Sequence, residues 1–232
     1  NILIRSIGLI TAPIFTRILT TTDYGIVSNF MAWVAIISIF TGLGLPYSVG
    51  NASIDFKEDL NKFISSIQIL GFFSAMFYLI LATIFSQQLA EIMSLDMELV
   101  IVIFVYLIFY PSFIFAQEEY KYSFLYKRNI VIALLNTLGA VLFCLWFVLY
   151  IFDDQRYMGR IFGLIVPAFL IGIYFFLRNI RYVKRVDFIK YWSYALKISI
   201  PMIPHSLAMI VLTQIDRLMI VKFSGNASAG LF

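Results

Sequence analysis

Residues 99–117 read LVIVIFVYLIFYPSFIFAQ, a run of nineteen residues with no charge whose polar side chains, beyond two tyrosines, are Ser112 and Gln117. At 1.5 Å per residue a helix of that length spans roughly 28 Å, about the thickness of a bilayer's hydrocarbon core. The run has no period-two alternation, so it does not read as a lipid-facing barrel strand. Backbone amides cannot stay unpaired in lipid, and only a helix pairs them all within one segment. A membrane-spanning helix is therefore the reading of this stretch.

Working outward, six further runs of similar character are expected at roughly 2–20, 25–46, 63–86, 130–152, 159–178 and 198–222. Of all residues 62% are hydrophobic and only 13% charged, with a mean hydropathy of +0.92. Soluble domains carry about twice that charged share. A globule of 232 residues cannot hide so much apolar surface from water. Soluble enzymes, disordered tails and nucleic-acid-binding domains are excluded; the net charge of +4 is not gathered into one basic block, and no nucleic-acid partner is expected. The single cysteine, Cys144, permits neither an internal disulfide nor a cysteine-based zinc cluster. The fold class expected is an all-α polytopic transmembrane helical bundle. The chain starts at Asn1 and ends inside the apolar stretch AGLF, and reads as a piece of a longer protein.

Charge asymmetry sets the orientation. One alternate set of loops holds Lys57, Lys62, Lys121, Lys127, Arg128, Arg178, Arg181, Lys184, Arg185, Lys190 and Lys197. The opposite set holds Arg156 and Arg160 beside Asp23, Glu91, Asp96, Glu98, Asp153 and Asp154. By the positive-inside rule, loops 47–62, 117–129 and 178–197 face the cytoplasm. The last of these mixes basic groups with Tyr182, Phe188, Tyr191 and Trp192, the pattern of an amphipathic helix on the inner leaflet. Three parts are expected: a six-helix bundle (1–177), a basic cytoplasmic linker (178–197), and a seventh helix that opens a second bundle (198–232).

Ionisable residues inside spans are costly and mark cavities or partners. Ser6, Pro13, Arg17 and Thr20 fall in one stripe of the first helix, and Ser199, Ser206, Thr213 and Arg217 in one stripe of the seventh. Each stripe ends in an arginine near the outer end. The two arginines either snorkel to the headgroups or line a shared cavity. Arg5 marks the inner mouth of that cavity or the cytoplasmic interface. Asp216 is a candidate proton or sodium site that pairs across helices, since its neighbour Arg217 points about 100° away. Prolines 13, 111, 167, 201 and 204 interrupt four spans, which suits helices that bend during alternating access. Gly159 and Gly163 form a GxxxG helix contact. Glu118, Glu119 and Lys121 read as a solvated helix end. No P-loop, HExxH, GxSxG or paired-carboxylate pattern is present, so no cofactor, metal site or catalytic group is expected, and the protein is not read as an enzyme.

An internal echo joins the two ends. Arg17-Ile-Leu followed by Asp23-Tyr24-Gly25-Ile26 resembles Arg217-Leu-Met followed by Ala229-Gly230-Leu231. In each, an arginine closes a polar-striped helix and a turn with glycine opens the next, as in transporters built from repeated bundles.

The segment TAPIFTRILTTTDYGIVSNFMAW (11–33) resembles the first-helix signature of Wzx-type polysaccharide flippases, members of the multidrug/oligosaccharidyl-lipid/polysaccharide exporter superfamily. The segment ISIPMIPHSLAMIVLTQIDRLMIVKFSGNASAGLF (198–232) is similar to that family's seventh helix, with its Pro-x-x-Pro-His run, Asp-Arg pair and turn ending in Ala-Gly-aliphatic. The resemblance implies the N-terminal lobe of a two-lobe transporter. It implies movement of undecaprenyl-pyrophosphate-linked oligosaccharide across the bacterial inner membrane for O-antigen, capsule or exopolysaccharide assembly. Expected partners are that lipid-linked oligosaccharide, bilayer lipid, and a polysaccharide polymerase or glycosyltransferase. On this reading Arg5, Arg17 and Arg217 are substrate-binding residues, because the planar guanidinium fork suits phosphate. Asp216 is an ion-coupling or gating residue, and Tyr24 and Tyr47 either stack on sugars or belong to the interfacial aromatic belt. A lipid II flippase or multidrug extruder of the same superfamily, or a membrane-embedded polymerase, are the alternative functions.

Overall fold

The computed structural model describes residue 13, residues 15–183 and residues 186–231. Among them there is no strand, and six helices are long and apolar enough to cross a membrane. These are α1 (Thr21–Thr41), α3 (Leu60–Ile84), α5 (Met97–Tyr122), α6 (Tyr126–Trp146, continued by a π-helical turn to Ile151), α7 (Arg156–Asn179, continued by a 3-10 turn to Val183) and α8 (Phe188–Leu231). Two short helices, α2 (Pro46–Asp55) and α4 (Ser86–Met93), join them. The chain is thus an all-α, multi-pass membrane protein. The first expected span, 2–20, lies largely outside the described residues, of which 15–18 are helical.

Local chemistry places the helix ends. Thr20 caps α1 reciprocally with Asp23: the Asp23 amide donates to Thr20 Oγ1 at 3.2 Å, and the Thr20 amide donates to Asp23 Oδ2 at 2.9 Å. At the far end of α1, Leu43 and Gly44 adopt left-handed φ of 50° and 61°, and Pro46 starts α2. Ser94, at φ 51°, ends α4. Asn29, fully buried in α1, donates to the freed carbonyls of Met93 at 2.9 Å and Ser94 at 3.3 Å.

The polar contacts sort by membrane face. Arg156 donates to the Ile18 carbonyl, Asn29 reaches Met93, and Tyr157 reaches Asp96, all at the acid-rich end. Ser65 donates to the Asn179 carbonyl, Trp192 to the Ser66 carbonyl, Tyr194 to Asp55, and Arg178 pairs with Glu119, all at the basic end. Successive spans therefore alternate in direction, as the loop charges require.

Helix α5, apolar on every side, sits at the centre, with 61% of its most apolar window buried against 11% for α6. Around Leu99, Ile103 and Leu107 pack Phe30 of α1 and Ile161 of α7. Helix α6 faces lipid. It is held by α7, whose Gly159 and Gly163 let the backbones touch: a Cβ on Gly163 would lie 2.4 Å from Cys144 Cα.

Two sequence readings change. Glu119 is not solvated; it is 9% exposed and takes a 2.8 Å ion pair from Arg178, which also donates to Tyr120 Oη at 2.8 Å. A carboxylate at the core-facing end of α5 needs such a partner. The second is the extent of the linker, since residues 188–197 are already helical. They are the first turns of α8, where Tyr191 and Ala195 bury against α2 and α3, and Trp192 finds a backbone acceptor.

Candidate functional site

Helix α1 has two faces. Phe30, Val34, Ile37 and Thr41 are buried in the bundle. Tyr24, Ser28, Met31, Ala35, Ser38 and Gly42 follow one another at alternating steps of four and three, and so share one stripe. Of these, Tyr24, Ser28, Ala35 and Ser38 are half-buried and Met31 is exposed. Helix α8 runs beside α1 and meets this side of the bundle at two levels.

At the inner level the hydroxyls of Ser206 and Tyr47 hydrogen-bond at 2.9 Å. A Cβ on Gly44 would stand 3.2 Å from the Ser199 carbonyl oxygen. At the outer level the approach is closer. Gly225, at φ 82°, breaks α8, and the chain beyond it crosses the start of α1. A Cβ on Gly25 would lie 1.8 Å from the Asn226 carbonyl oxygen, and a Cβ on Gly230 would lie 1.8 Å from the Thr21 carbonyl oxygen. Each glycine thus faces the carbonyl four residues before the other. Only residues without a Cβ allow the two backbones to approach so closely at this crossing. The glycine part of the internal echo is here a local two-fold, with Gly25 answering Gly230; the echo's arginines are not related this way, since Arg17 stands eight residues before Gly25 and Arg217 thirteen before Gly230.

Just inside the crossing lies a cleft of about 310 Å³, lined by Tyr24, Ser28 and Met31 of α1, Arg160 of α7, and Arg217 and Gly230 of α8, among others. Arg160 is half-buried, with its guanidinium 3.7 Å above the ring of the fully buried Phe15. That cation–π contact holds the head in place, and the buried Cys144 thiol lies within reach of the same guanidinium. Among the described residues, no Asp or Glu lines the cleft. Two guanidiniums from different helices without a carboxylate make a site for an anion, and their fork geometry matches phosphate oxygens.

A second cleft, of about 430 Å³, lies towards the inner end of the same α1 stripe. Ser38, Gly42, Tyr47, Tyr110 and Tyr122 line it together with the ion pair of Glu118 and Lys121, 2.9 Å apart. Flat aromatic faces beside a few hydroxyls and charges suit polar rings rather than a compact anion.

The structure therefore puts Arg217, itself exposed, among the residues that line a cleft. It places Asp216 on an exposed part of α8, outside the residues that line either cleft, and without an ion pair among the described residues. Arg17 is exposed and is not a lining residue. Arg5 lies outside the described residues. Arg160 is the residue that the sequence reading assigned to an outer loop and left out of the site. Its signal was available: it falls inside the expected span 159–178, and a charge within a span marks a functional position.

Neither the curated proteins nor the solved structures returned a match to the chain. A family model described as "Polysaccharide biosynthesis protein" matches residues 1–232, the whole of the sequence. An all-helical membrane bundle with an acid-free arginine cleft thus belongs, by sequence, to the polysaccharide biosynthesis protein family.

Proposed function

We propose that this protein is a flippase that moves undecaprenyl-pyrophosphate-linked oligosaccharide units across the bacterial inner membrane by alternating access. The observation that carries the reading is the cleft shared by Arg160 and Arg217 with no carboxylate on its walls. A diphosphate loses its hydration on entering hydrocarbon, at a cost no lipid tail offsets. Two guanidinium forks replace that hydration at a fixed depth. The tyrosine cleft, further in along α1, takes the sugar rings, and the polyprenyl chain stays in the bilayer. Arg17 and Arg5 are further contacts for the headgroup, and Asp216 couples the cycle to an ion gradient. The substrate's suppliers and consumers are a glycosyltransferase and a polymerase in the same membrane.

A multidrug extruder of cations would need the opposite sign in its cleft. A polymerase would need catalytic carboxylates, and among the described residues none lines the arginine cleft.

The test is transport in proteoliposomes loaded with a fluorescent polyprenyl-diphosphate oligosaccharide. Each lost charge-assisted contact is worth about 1.5–3 kcal/mol, so roughly tenfold or more in rate. Arg160→Gln and Arg217→Gln should each slow flipping by about that factor, and Arg217→Lys by less. Wild-type flipping by the double glutamine variant, at normal protein level, refutes the assignment.

A further inference from the structure

On the opposite side of the bundle, at the inner end, a third cavity of about 330 Å³ is lined by Tyr120 of α5, Lys127, Arg128, Val131 and Ile132 of α6, and Tyr174 and Phe175 of α7. Its polar wall carries net positive charge. Lys127 and Arg128 are exposed and make no ion pair among the described residues. The carboxylate closest in kind, Glu119, is already engaged by Arg178. The first turn of α6 contains no acid and has no side-chain cap.

Its apolar wall leads into the bilayer. Val131 begins an exposed stripe on α6 that continues through Leu135, Leu138 and Leu142, at steps of four, three and four. Beside it, Tyr174, Leu170 and Leu177 are exposed on α7. A ligand that fits has an anionic head for Lys127 and Arg128 and an alkyl chain for the α6–α7 groove. By the charge rule this end is cytoplasmic, where anionic lipid headgroups lie.

We infer that this cavity is a binding site for an anionic phospholipid of the inner leaflet, phosphate on Lys127 and Arg128, one acyl chain along Val131 and Leu135. The site shares no lining residue with either cleft on α1 and does not depend on what the protein transports. It sits against the junction of Tyr120, Arg178 and Glu119 that ties α5 to α7. A bound lipid therefore braces the inner end of the bundle where α6 has little protein around it.

Native mass spectrometry of the purified protein in detergent, titrated with phosphatidylglycerol or phosphatidylcholine, tests this. A cation near an anionic headgroup contributes roughly fivefold in affinity, so the pair should give about 25-fold preference for phosphatidylglycerol. Lys127→Gln/Arg128→Gln should lose at least tenfold of it. The charge-keeping Lys127→Arg/Arg128→Lys should retain it, which separates loss of binding from misfolding. Lys57→Gln/Arg181→Gln removes the same charge from exposed inner positions and should cost less than twofold. Inorganic phosphate at millimolar concentration should not displace the lipid. Equal loss in both neutralised pairs, displacement by phosphate alone, or tighter binding of undecaprenyl phosphate than of phosphatidylglycerol at this site would each overturn the inference.

Discussion

Replacing Gly25 by valine should open the outer crossing. A Cβ there would stand 1.8 Å from the Asn226 carbonyl oxygen, whereas non-bonded carbon and oxygen rarely come closer than about 3 Å. The obstacle is backbone, so no rotamer change relieves it. The end of α8 must move away by at least about 1.2 Å, and the Gly230 contact to Thr21, across the same two-fold, is lost with it. Overpacking of this kind costs about 1–3 kcal/mol, which shifts a closed-to-open equilibrium by roughly 5- to 150-fold. Ser28, which lines the arginine cleft behind the crossing, reports the change. In right-side-out membranes, Ser28→Cys should label slowly with an impermeant maleimide, and much faster when combined with Gly25→Val. Native Cys144 is fully buried and serves as the internal unlabelled control. If Gly25→Val lowers thermal stability while the labelling rate of Ser28→Cys stays the same, the crossing is a permanent joint and not an outer closure.

Two further substitutions probe the bundle itself. Arg178→Met strands the carboxylate of Glu119 and should destabilise the protein by about 2–4 kcal/mol, read by thermal unfolding in detergent; the double variant with Glu119→Gln should recover more than half. Stability of the single variant equal to wild type would mean that water reaches Glu119 freely. Gly163→Ala should cost about 1–3 kcal/mol in the same assay, and adding Cys144→Ala should not restore it, because Cys144 Cα is as close as its sulfur.

The spans were legible because lipid leaves a chain little choice: an apolar run of about twenty residues is a helix or it is not in the bilayer. The alternation of basic and acidic ends was legible in the loop charges, and GxxxG in the need for small residues where helices touch. The site was only partly legible. Arg217 was visible as a charge in an apolar helix. Its partner Arg160 comes from a helix more than fifty residues earlier, and no local pattern states that α7 and α8 converge on α1. Glu119 was misread because a charge near a helix end looks the same whether the end meets water or Arg178. The glycine echo was visible as a resemblance between two ends of the chain. That Gly25 and Gly230 face each other's carbonyls is a tertiary fact, since the spacing of each motif concerns only its own helix.

If the proposed substrate passes between the two clefts on α1, their chemistry gives it a direction. Ser28 and Ser38, one in each cleft, are ten residues apart, roughly 15 Å along the helix. Between them the stripe offers Met31 and the half-buried Ala35, neither charged. On the proposed path an anion leaves a neutral surface for two guanidiniums nearer the outer face, and the Gly25–Gly230 crossing lies beyond them. A negative charge placed between the two clefts should reverse that gradient. Ala35→Asp puts a carboxylate in the path, and at an effective dielectric near 20 a like charge about 8 Å away costs roughly 2 kcal/mol. Flipping of a diphosphate-linked glycan should fall by at least tenfold, and the near-isosteric Ala35→Asn, which adds the same bulk without the charge, should keep most of it. If Asp and Asn impair transport equally, sterics explain the loss and the anion does not travel along this face of α1.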